Sequence, residues 1–136
     1  LSANVHFVGF IPNEEMGLFY REAIALVMPT YFGPTNIPPL EAFTFGCPVC
    51  YYDLPGLREQ VGAAAFLMDL NDPETLARHV LTILKDKDRV QEKVGLGKQV
   101  LSEFTEDAYW KNLEQIFDRY AQKIKSWKTT DDESGR

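Results

Sequence analysis

Residues 24–52 read IALVMPTYFGPTNIPPLEAFTFGCPVCYY, and this stretch decides the fold. It opens on an unbroken apolar run, Ile24–Met28, that ends at a proline, which is typical of a parallel strand covered on both faces. A loop leads to Pro38–Pro39, whose fixed φ and missing N–H suit the first turn of a helix. The helix extends to Gly46, a residue type that ends helices, and Pro48–Tyr52 predicts the next strand. This order predicts a β-α-β unit with parallel strands.

The same alternation continues on both sides of this unit. Val5–Phe10 is rich in β-branched and aromatic residues and predicts a strand, and Asn13 is placed to cap the helix that follows. Ala64–Met68 predicts a fourth short strand. Asp72 then caps a helix with Pro73 in its first position, and the pattern stays helical up to the last residues. We therefore predict an α/β fold, a Rossmann-like parallel sheet flanked by helices with a helical C-terminal end.

The length of 136 residues suits one hydrophobic core, and we predict one domain over residues 1–128. Residues 129–136 contain no apolar side chain and are predicted to be disordered. The first residue is Leu1 and no signal-peptide pattern is visible, so we expect the sequence to start inside a longer protein.

Charge and hydropathy bear on the class of partner. The net charge is −6, and the basic residues before Lys85 are Arg21, Arg58 and Arg78, so the motif-rich part of the chain lacks the basic stripe of a nucleic-acid surface. No apolar stretch approaches the roughly 20 residues that span a membrane.

A cluster near the C-terminus leaves two interpretations open. It consists of Lys123, Lys125, Trp127 and Lys128, and its composition suits peripheral contact with an anionic membrane. The three lysines also suit the negative end of a helix dipole, with no membrane involved.

Two cysteines stand three positions apart, Cys47 and Cys50, a spacing seen in redox dithiols and in halves of zinc sites. A redox pair opens a helix, whereas here a helix has just ended, and zinc needs four ligands that His6 and His79 do not complete. We expect two buried, reduced thiols and no metal site, which suits a cytoplasmic protein.

The loop after the first strand of the β-α-β unit is the best candidate for a binding site, because ligands of open parallel sheets bind at the carboxyl ends of strands. The N–H groups at the start of its helix, on Thr35, Asn36 and Ile37, favour an anion such as phosphate. We expect Glu41 in the first turn of this helix. It either complements the helix dipole or accepts hydrogen bonds from a ribose diol, and position alone leaves both roles open.

The stretch Met28–Val49 resembles the signature of group 1 glycosyltransferases, family 4, which have GT-B architecture. Val5–Pro12 resembles the family's strand before the signature, and Gly56–Ala64 resembles the segment after it. Asp69–Leu84 is similar to the helix that follows in the family, so that the likeness runs in order over about Val5–Phe104. It implies the C-terminal, donor-binding half of a GT-B enzyme.

The resemblance implies roles for individual residues. The family's Pro-Leu-Glu-Ala glutamate binds the nucleotide ribose, which corresponds to Glu41, and Leu40 belongs to the same motif. The amides that contact the donor diphosphate correspond to Asn36, Ile37 and Thr35.

Two other positions bear on the donor site. The family carries a second glutamate, which contacts the donor sugar, where this chain has Gly33; the sugar contacts are then expected from Thr35 or Asn36. Glu59 has a Gly-x-x-Glu context that matches the family and is a further donor-site candidate.

By resemblance, the full-length protein is a retaining, metal-independent glycosyltransferase of hexosyltransferase type. It would use a nucleoside diphosphate sugar, and an N-terminal domain absent from this chain would bind a glycan or lipid-linked saccharide acceptor. No general base is assigned, because the departing phosphate itself is thought to serve, and the fragment alone is expected to be inactive. Two alternatives stay open: a non-catalytic binding or scaffold domain with a degenerate donor site, favoured by Gly33, and a nucleotide-sugar epimerase of related fold.

Overall fold

The computed structural model describes residues 2–32 and 36–133, with side chains from Ala3 to Phe32 and from Asn36 to Ile124. The chain divides into two compact units, Leu1–Leu101 and Ser102–Arg136. This division falls inside residues 1–128, which the sequence predicts as one domain.

The first unit is built on a parallel sheet of three strands in the order β1-β2-β3. Helices follow the strands in the chain, so the predicted Rossmann-like α/β fold is confirmed. The elements are β1 (Leu26–Met28), β2 (Val49–Tyr52), β3 (Phe66–Met68), α1 (Asn13–Glu22), α2 (Ile37–Thr44), α3 (Leu57–Val61), α4 (Pro73–Lys85), α5 (Lys87–Glu103) and α6 (Glu106–Glu133), with short 3-10 turns at Ser2–Asn4 and Gly62–Ala64.

The central strand β2 is buried on both faces, as its apolar sequence predicts. Val49 and Tyr51 face one core cluster, which also contains Phe43 of α2. Cys50 points to the other side, into a cluster with Ile83 of α4. Alternate side chains of one strand therefore join both helical layers to the sheet.

Close packing fixes the C-terminal end of α2. Gly46 follows the helix with φ 71°, and the N–H of Cys47 donates to the carbonyl of Ala42 over 2.8 Å, which closes the helix as predicted. The ring of Phe43 lies so near Gly97 of α5 that a Cβ on the glycine would be 2.7 Å from it. A larger side chain at position 97 would therefore force Phe43 or the backbone of α5 to shift.

The predicted start of α4 is confirmed. The Asp72 carboxylate accepts a hydrogen bond from the N–H of Glu74 over 3.1 Å, and Pro73 occupies the first helical position.

The strand predicted at Val5–Phe10 is wrong. The segment pairs with no strand among the described residues, and Phe7 and Phe10 are 97% and 91% exposed. Gly9 has φ 68°, a left-handed conformation that interrupts extended backbone.

The cap predicted for α1 is also wrong. The cap position belongs to Pro12, whose carbonyl accepts from Glu15 and Met16, and Asn13 is already helical.

The second unit contains α6. The hydroxyl of Thr105 accepts from the N–H of Ala108 over 3.1 Å and caps this helix. The helix continues to Glu133, so residues 129–133 of the segment predicted to be disordered are helical, and residues 134–136 lie outside the described part. None of the described helices is both long and apolar enough to cross a membrane.

Candidate functional site

The carboxyl ends of the three strands lie at one edge of the sheet, because the strands are parallel and in register. Met28 of β1 pairs with Tyr51 of β2, and Tyr52 pairs with Met68 of β3. α2 and α3 follow β1 and β2 in the chain, so both helices start on this side of the sheet. Ligands of open parallel sheets bind at this edge, which makes the start of α2 the candidate site.

The start of α2 offers few main-chain donors. Pro38 and Pro39 carry no N–H, and the N–H of Asn36 donates to the side-chain oxygen of Gln60 over 3.1 Å. Within the described part of the chain, no acceptor is seen for the N–H of Ile37. Among the described residues, the Ile37 N–H and the positive end of the helix dipole are the features of this helix start that favour an anion.

Asn36 is held on three sides by Gln60 and Tyr51. The Gln60 carboxamide accepts from the Asn36 N–H and donates to the Asn36 carbonyl over 2.7 Å. The Asn36 side chain donates to the hydroxyl of Tyr51 over 2.5 Å, and that hydroxyl is 3.5 Å from the Gln60 side-chain oxygen. Tyr51 is fully buried, so it anchors this network to the sheet.

The placement of Glu41 in the first turn of α2 is wrong: the helix already begins at Ile37, so Glu41 lies on its second turn. Its side chain is half-buried. Its carboxylate accepts a hydrogen bond from the hydroxyl of Tyr20 of α1 over 2.8 Å. A carboxylate has about four lone-pair sites, so this bond leaves acceptor capacity for a ligand. The bond to Tyr20 orients the Glu41 side chain and leaves its remaining lone pairs free to accept hydrogen bonds.

Tyr20 is held in turn by Phe45. The two rings stack in parallel with their centroids 5.8 Å apart, and the guanidinium of Arg21 lies 5.3 Å from the centroid of the Phe45 ring. A Cβ on Gly17 would be 2.8 Å from that ring, so α1 approaches closely here. Because Phe45 is four residues after Glu41, the two side chains share one face of the chain and Tyr20 contacts both.

Both tyrosine hydroxyls stay protonated at neutral pH. Burial raises the pKa of Tyr20, and the neighbouring Glu41 carboxylate raises this pKa further. Burial also raises the pKa of Tyr51, against a smaller opposite effect of the hydrogen bond from Asn36. Tyr20 is therefore a dependable donor to Glu41.

The predicted site residues are distributed as follows. Gly33 and Thr35 lie outside the described residues. Leu40 packs against the core cluster that contains Phe43 and Val49, and Ile37 is 69% exposed. Glu59 is exposed on α3, and its neighbour Gln60, which the sequence did not single out, makes the contact with the start of α2.

The sequence pattern likewise does not single out Tyr20 and Tyr51. Tyr20 belongs to the apolar stripe of α1 and Tyr51 to a buried strand, so both patterns predict ordinary core residues. Their hydroxyl contacts depend on how elements meet in three dimensions, and no spacing signal in the chain reveals them.

The cysteines behave as buried thiols. Cys47 and Cys50 are free and 2% and 0% exposed, and burial raises the pKa of Cys50 from 9.0 to about 11. Such thiols are poor nucleophiles at neutral pH. In the described residues, no group of three or more His, Cys, Asp or Glu side chains is placed to hold a metal ion.

One ion pair lies at the carboxyl end of β2. The guanidinium of Arg58 binds the Asp53 carboxylate through two contacts of 2.6 Å, so this aspartate is an ion-pair partner. Elsewhere, residues between Glu103 and Asn112 line an open cavity of about 680 Å³, and none of the predicted donor-binding residues that the structure describes takes part in it.

Comparison with known families defines the class. The family model for glycosyl transferases group 1 matches residues 1–99, and the chain therefore belongs to this glycosyltransferase family. A relative is O-antigen chain mannosyltransferase B of Escherichia coli, 32% identical over 82 residues, which are 60% of this chain and 22% of the relative. The aligned part is thus about a fifth of that protein's length. No solved structure matches the chain.

Proposed function

We propose that this chain is the donor-binding part of a retaining glycosyltransferase. It binds a nucleoside diphosphate sugar for transfer to a glycan or lipid-linked saccharide that another part of the enzyme presents. Family membership supports the transfer reaction. The observation that carries the donor role is the half-buried Glu41 carboxylate, held by Tyr20 on the helix that starts at the carboxyl edge of the sheet.

In this proposal Glu41 accepts two hydrogen bonds from the ribose diol. Its bond to Tyr20 lowers the entropic cost of placing the carboxylate, because the side chain is already oriented before the nucleotide binds. The diphosphate lies at the start of α2, against the Ile37 N–H and the positive end of the helix dipole. Thr35 and Gly33 remain proposed donor-site positions, as do Asn36, Leu40 and Glu59.

We expect the positive charge for transfer to come from elsewhere in the enzyme, since only Arg21, Arg58 and Arg78 are basic before Lys85. Arg58 and Arg78 form ion pairs with aspartates, and Arg21 lies over the ring of Phe45. A departing diphosphate needs cations for its developing charge, and main-chain donors alone give slow transfer. We therefore expect residues 1–136 alone to bind donor weakly and to transfer nothing, and we expect the complete enzyme to work without a metal ion.

The relative's name suggests a first substrate to test. That protein is called an O-antigen chain mannosyltransferase, so a mannosyl group and a polysaccharide acceptor are the first choice for this chain. Buried reduced thiols suit a cytoplasmic enzyme. We also propose that the lysines near the C-terminus contact the membrane surface peripherally.

A non-catalytic binding or scaffold domain is the second candidate. Two observations favour it: Gly33 stands where the family has a glutamate, and the Asn36 N–H is occupied by Gln60. The family match gives no corresponding support to an epimerase.

A thermal-shift panel of nucleotides separates the two candidates. Ligand at about 100 times its dissociation constant adds roughly 2.7 kcal/mol of stability, which a small domain shows as several degrees. The full-length protein should be stabilised selectively by UDP or GDP, and Glu41→Ala should abolish the shift while Glu92→Ala on α5 preserves it. A full-length protein that responds to no nucleotide supports the scaffold.

A further inference from the structure

We infer that Gln60 is a positioning residue of the donor site, acting through the main chain of Asn36. The inference rests on the proposed function and adds a residue on α3 that the sequence pattern does not single out. Its basis is the paired contact: the Gln60 carboxamide binds both the N–H and the carbonyl of Asn36, over 3.1 and 2.7 Å.

This geometry restrains the peptide groups on both sides of Asn36. Asn36 has extended backbone, with φ −124° and ψ 132°, and it is the last residue before α2. An extended residue whose N–H and carbonyl are both bound to one planar carboxamide has little freedom to rotate in φ or ψ. The direction in which the Ile37 N–H points is set by that rotation.

The cap itself does not supply this restraint. Asparagine at a helix start usually accepts a hydrogen bond from the helix through its side chain. Here Asn36 makes no such bond, and its side chain donates to Tyr51 instead. The start of α2 is therefore held from outside the helix, by Gln60 on α3 and by the buried Tyr51 on β2.

The effect should be confined to the phosphate side of the site. Glu41 is one turn further along α2 and is held separately by Tyr20. Loss of the Gln60 contacts therefore misdirects the Ile37 N–H and leaves the ribose contact in place. The affinity for a nucleoside diphosphate should therefore fall, whereas the affinity for a nucleoside without phosphates should not change.

The test compares two ligands on matched variants of the full-length protein. Gln60→Met keeps the length of the side chain and removes both hydrogen bonds, and Gln91→Met on the exposed face of α5 is the control. Calorimetric titration with whichever of UDP or GDP binds the unmodified protein, and with the matching nucleoside, gives the dissociation constants. Melting temperatures show that each variant is folded.

We expect Gln60→Met to weaken diphosphate binding about 10-fold and to leave nucleoside binding unchanged. Tyr51→Phe, which removes only the hydroxyl, should act in the same direction by about 3-fold. Tighter diphosphate binding in Gln60→Met overturns the inference, because Gln60 would then be an occupant that the diphosphate displaces. Unchanged binding, or an equal loss for both ligands, also overturns it.

Failure of the proposed function gives a different result. In that case neither UDP nor GDP binds the unmodified protein, so there is no dissociation constant with which Gln60→Met could be compared. A Gln60→Met protein that does not fold is replaced by Tyr51→Phe, whose ring keeps the shape of the core.

Discussion

The two ends of α2 are held by different kinds of contact. At the C-terminal end, Phe43 packs on Gly97 and the chain turns at Gly46 in a close-packed, apolar setting. At the N-terminal end, polar groups of Asn36 and Gln60 bind one another next to an exposed edge. The apolar end stabilises the fold, and we propose that the polar end serves in ligand recognition. Substitutions at the two ends should therefore change different measured quantities.

The largest effect is expected at the apolar end. Phe43 is 3% exposed, and Phe43→Ala should lower the free energy of unfolding by about 3–5 kcal/mol, since a cavity is left against α5. Urea denaturation measures this loss. Phe7→Ala, at a residue that is 97% exposed, is the matched control and should change stability by under about 0.5 kcal/mol. Equal effects of the two substitutions would contradict the assignment of the core.

At the polar end of α2, a substitution should change nucleotide binding much more than it changes stability. Glu41→Gln keeps the shape of the side chain and removes its charge, so we expect about 100-fold weaker nucleotide binding and a change in stability of under about 1 kcal/mol. Calorimetry and urea denaturation measure the two quantities. Glu92→Gln serves as the control, and unchanged nucleotide affinity in Glu41→Gln would place the ribose elsewhere.

A smaller effect on binding is expected at the support of Glu41. Tyr20→Phe keeps the ring stacked on Phe45 and removes the hydroxyl that donates to the carboxylate. Nucleotide binding should weaken about 5-fold, because the carboxylate loses its orientation but not its charge. An effect as large as that of Glu41→Gln would mean that Tyr20 contacts the ligand directly.

The smallest effect is expected on the pH dependence of stability, through Cys47 at the apolar end of α2. Burial raises the pKa of Cys47 above its ordinary value of 9.0, so above pH 9 the unfolded chain loses this proton before the folded chain does. The folded state then binds more protons, and stability falls as pH rises. Between pH 8 and 9.5 the loss from this thiol should be under about 1 kcal/mol. Urea denaturation of Cys47→Ala should show a flatter pH dependence; an unchanged slope would contradict it.

Much of the fold could be predicted because local patterns determine it. The apolar runs around Val27 and Cys50 predicted parallel strands, and Asp72 with Pro73 predicted the start of α4. The prediction of a strand at Val5–Phe10 was wrong, because a strand-like composition does not show which strand would pair with the segment. It also does not reveal the left-handed backbone of Gly9.

The candidate site could be predicted only in outline. The motif located Glu41 and the start of α2, since both lie within one short stretch. The contacts that hold them come from Tyr20, Tyr51 and Gln60, which belong to three other elements. Which side chains meet across elements depends on packing angles that no local period encodes.

The most direct test of the central claim is a crystal structure of the full-length protein with its nucleoside diphosphate. We predict that both ribose hydroxyls lie within about 3.2 Å of the Glu41 carboxylate and that a phosphate oxygen lies at the N–H of Ile37. A nucleotide bound elsewhere, with Glu41 still bonded to Tyr20 alone, would contradict it.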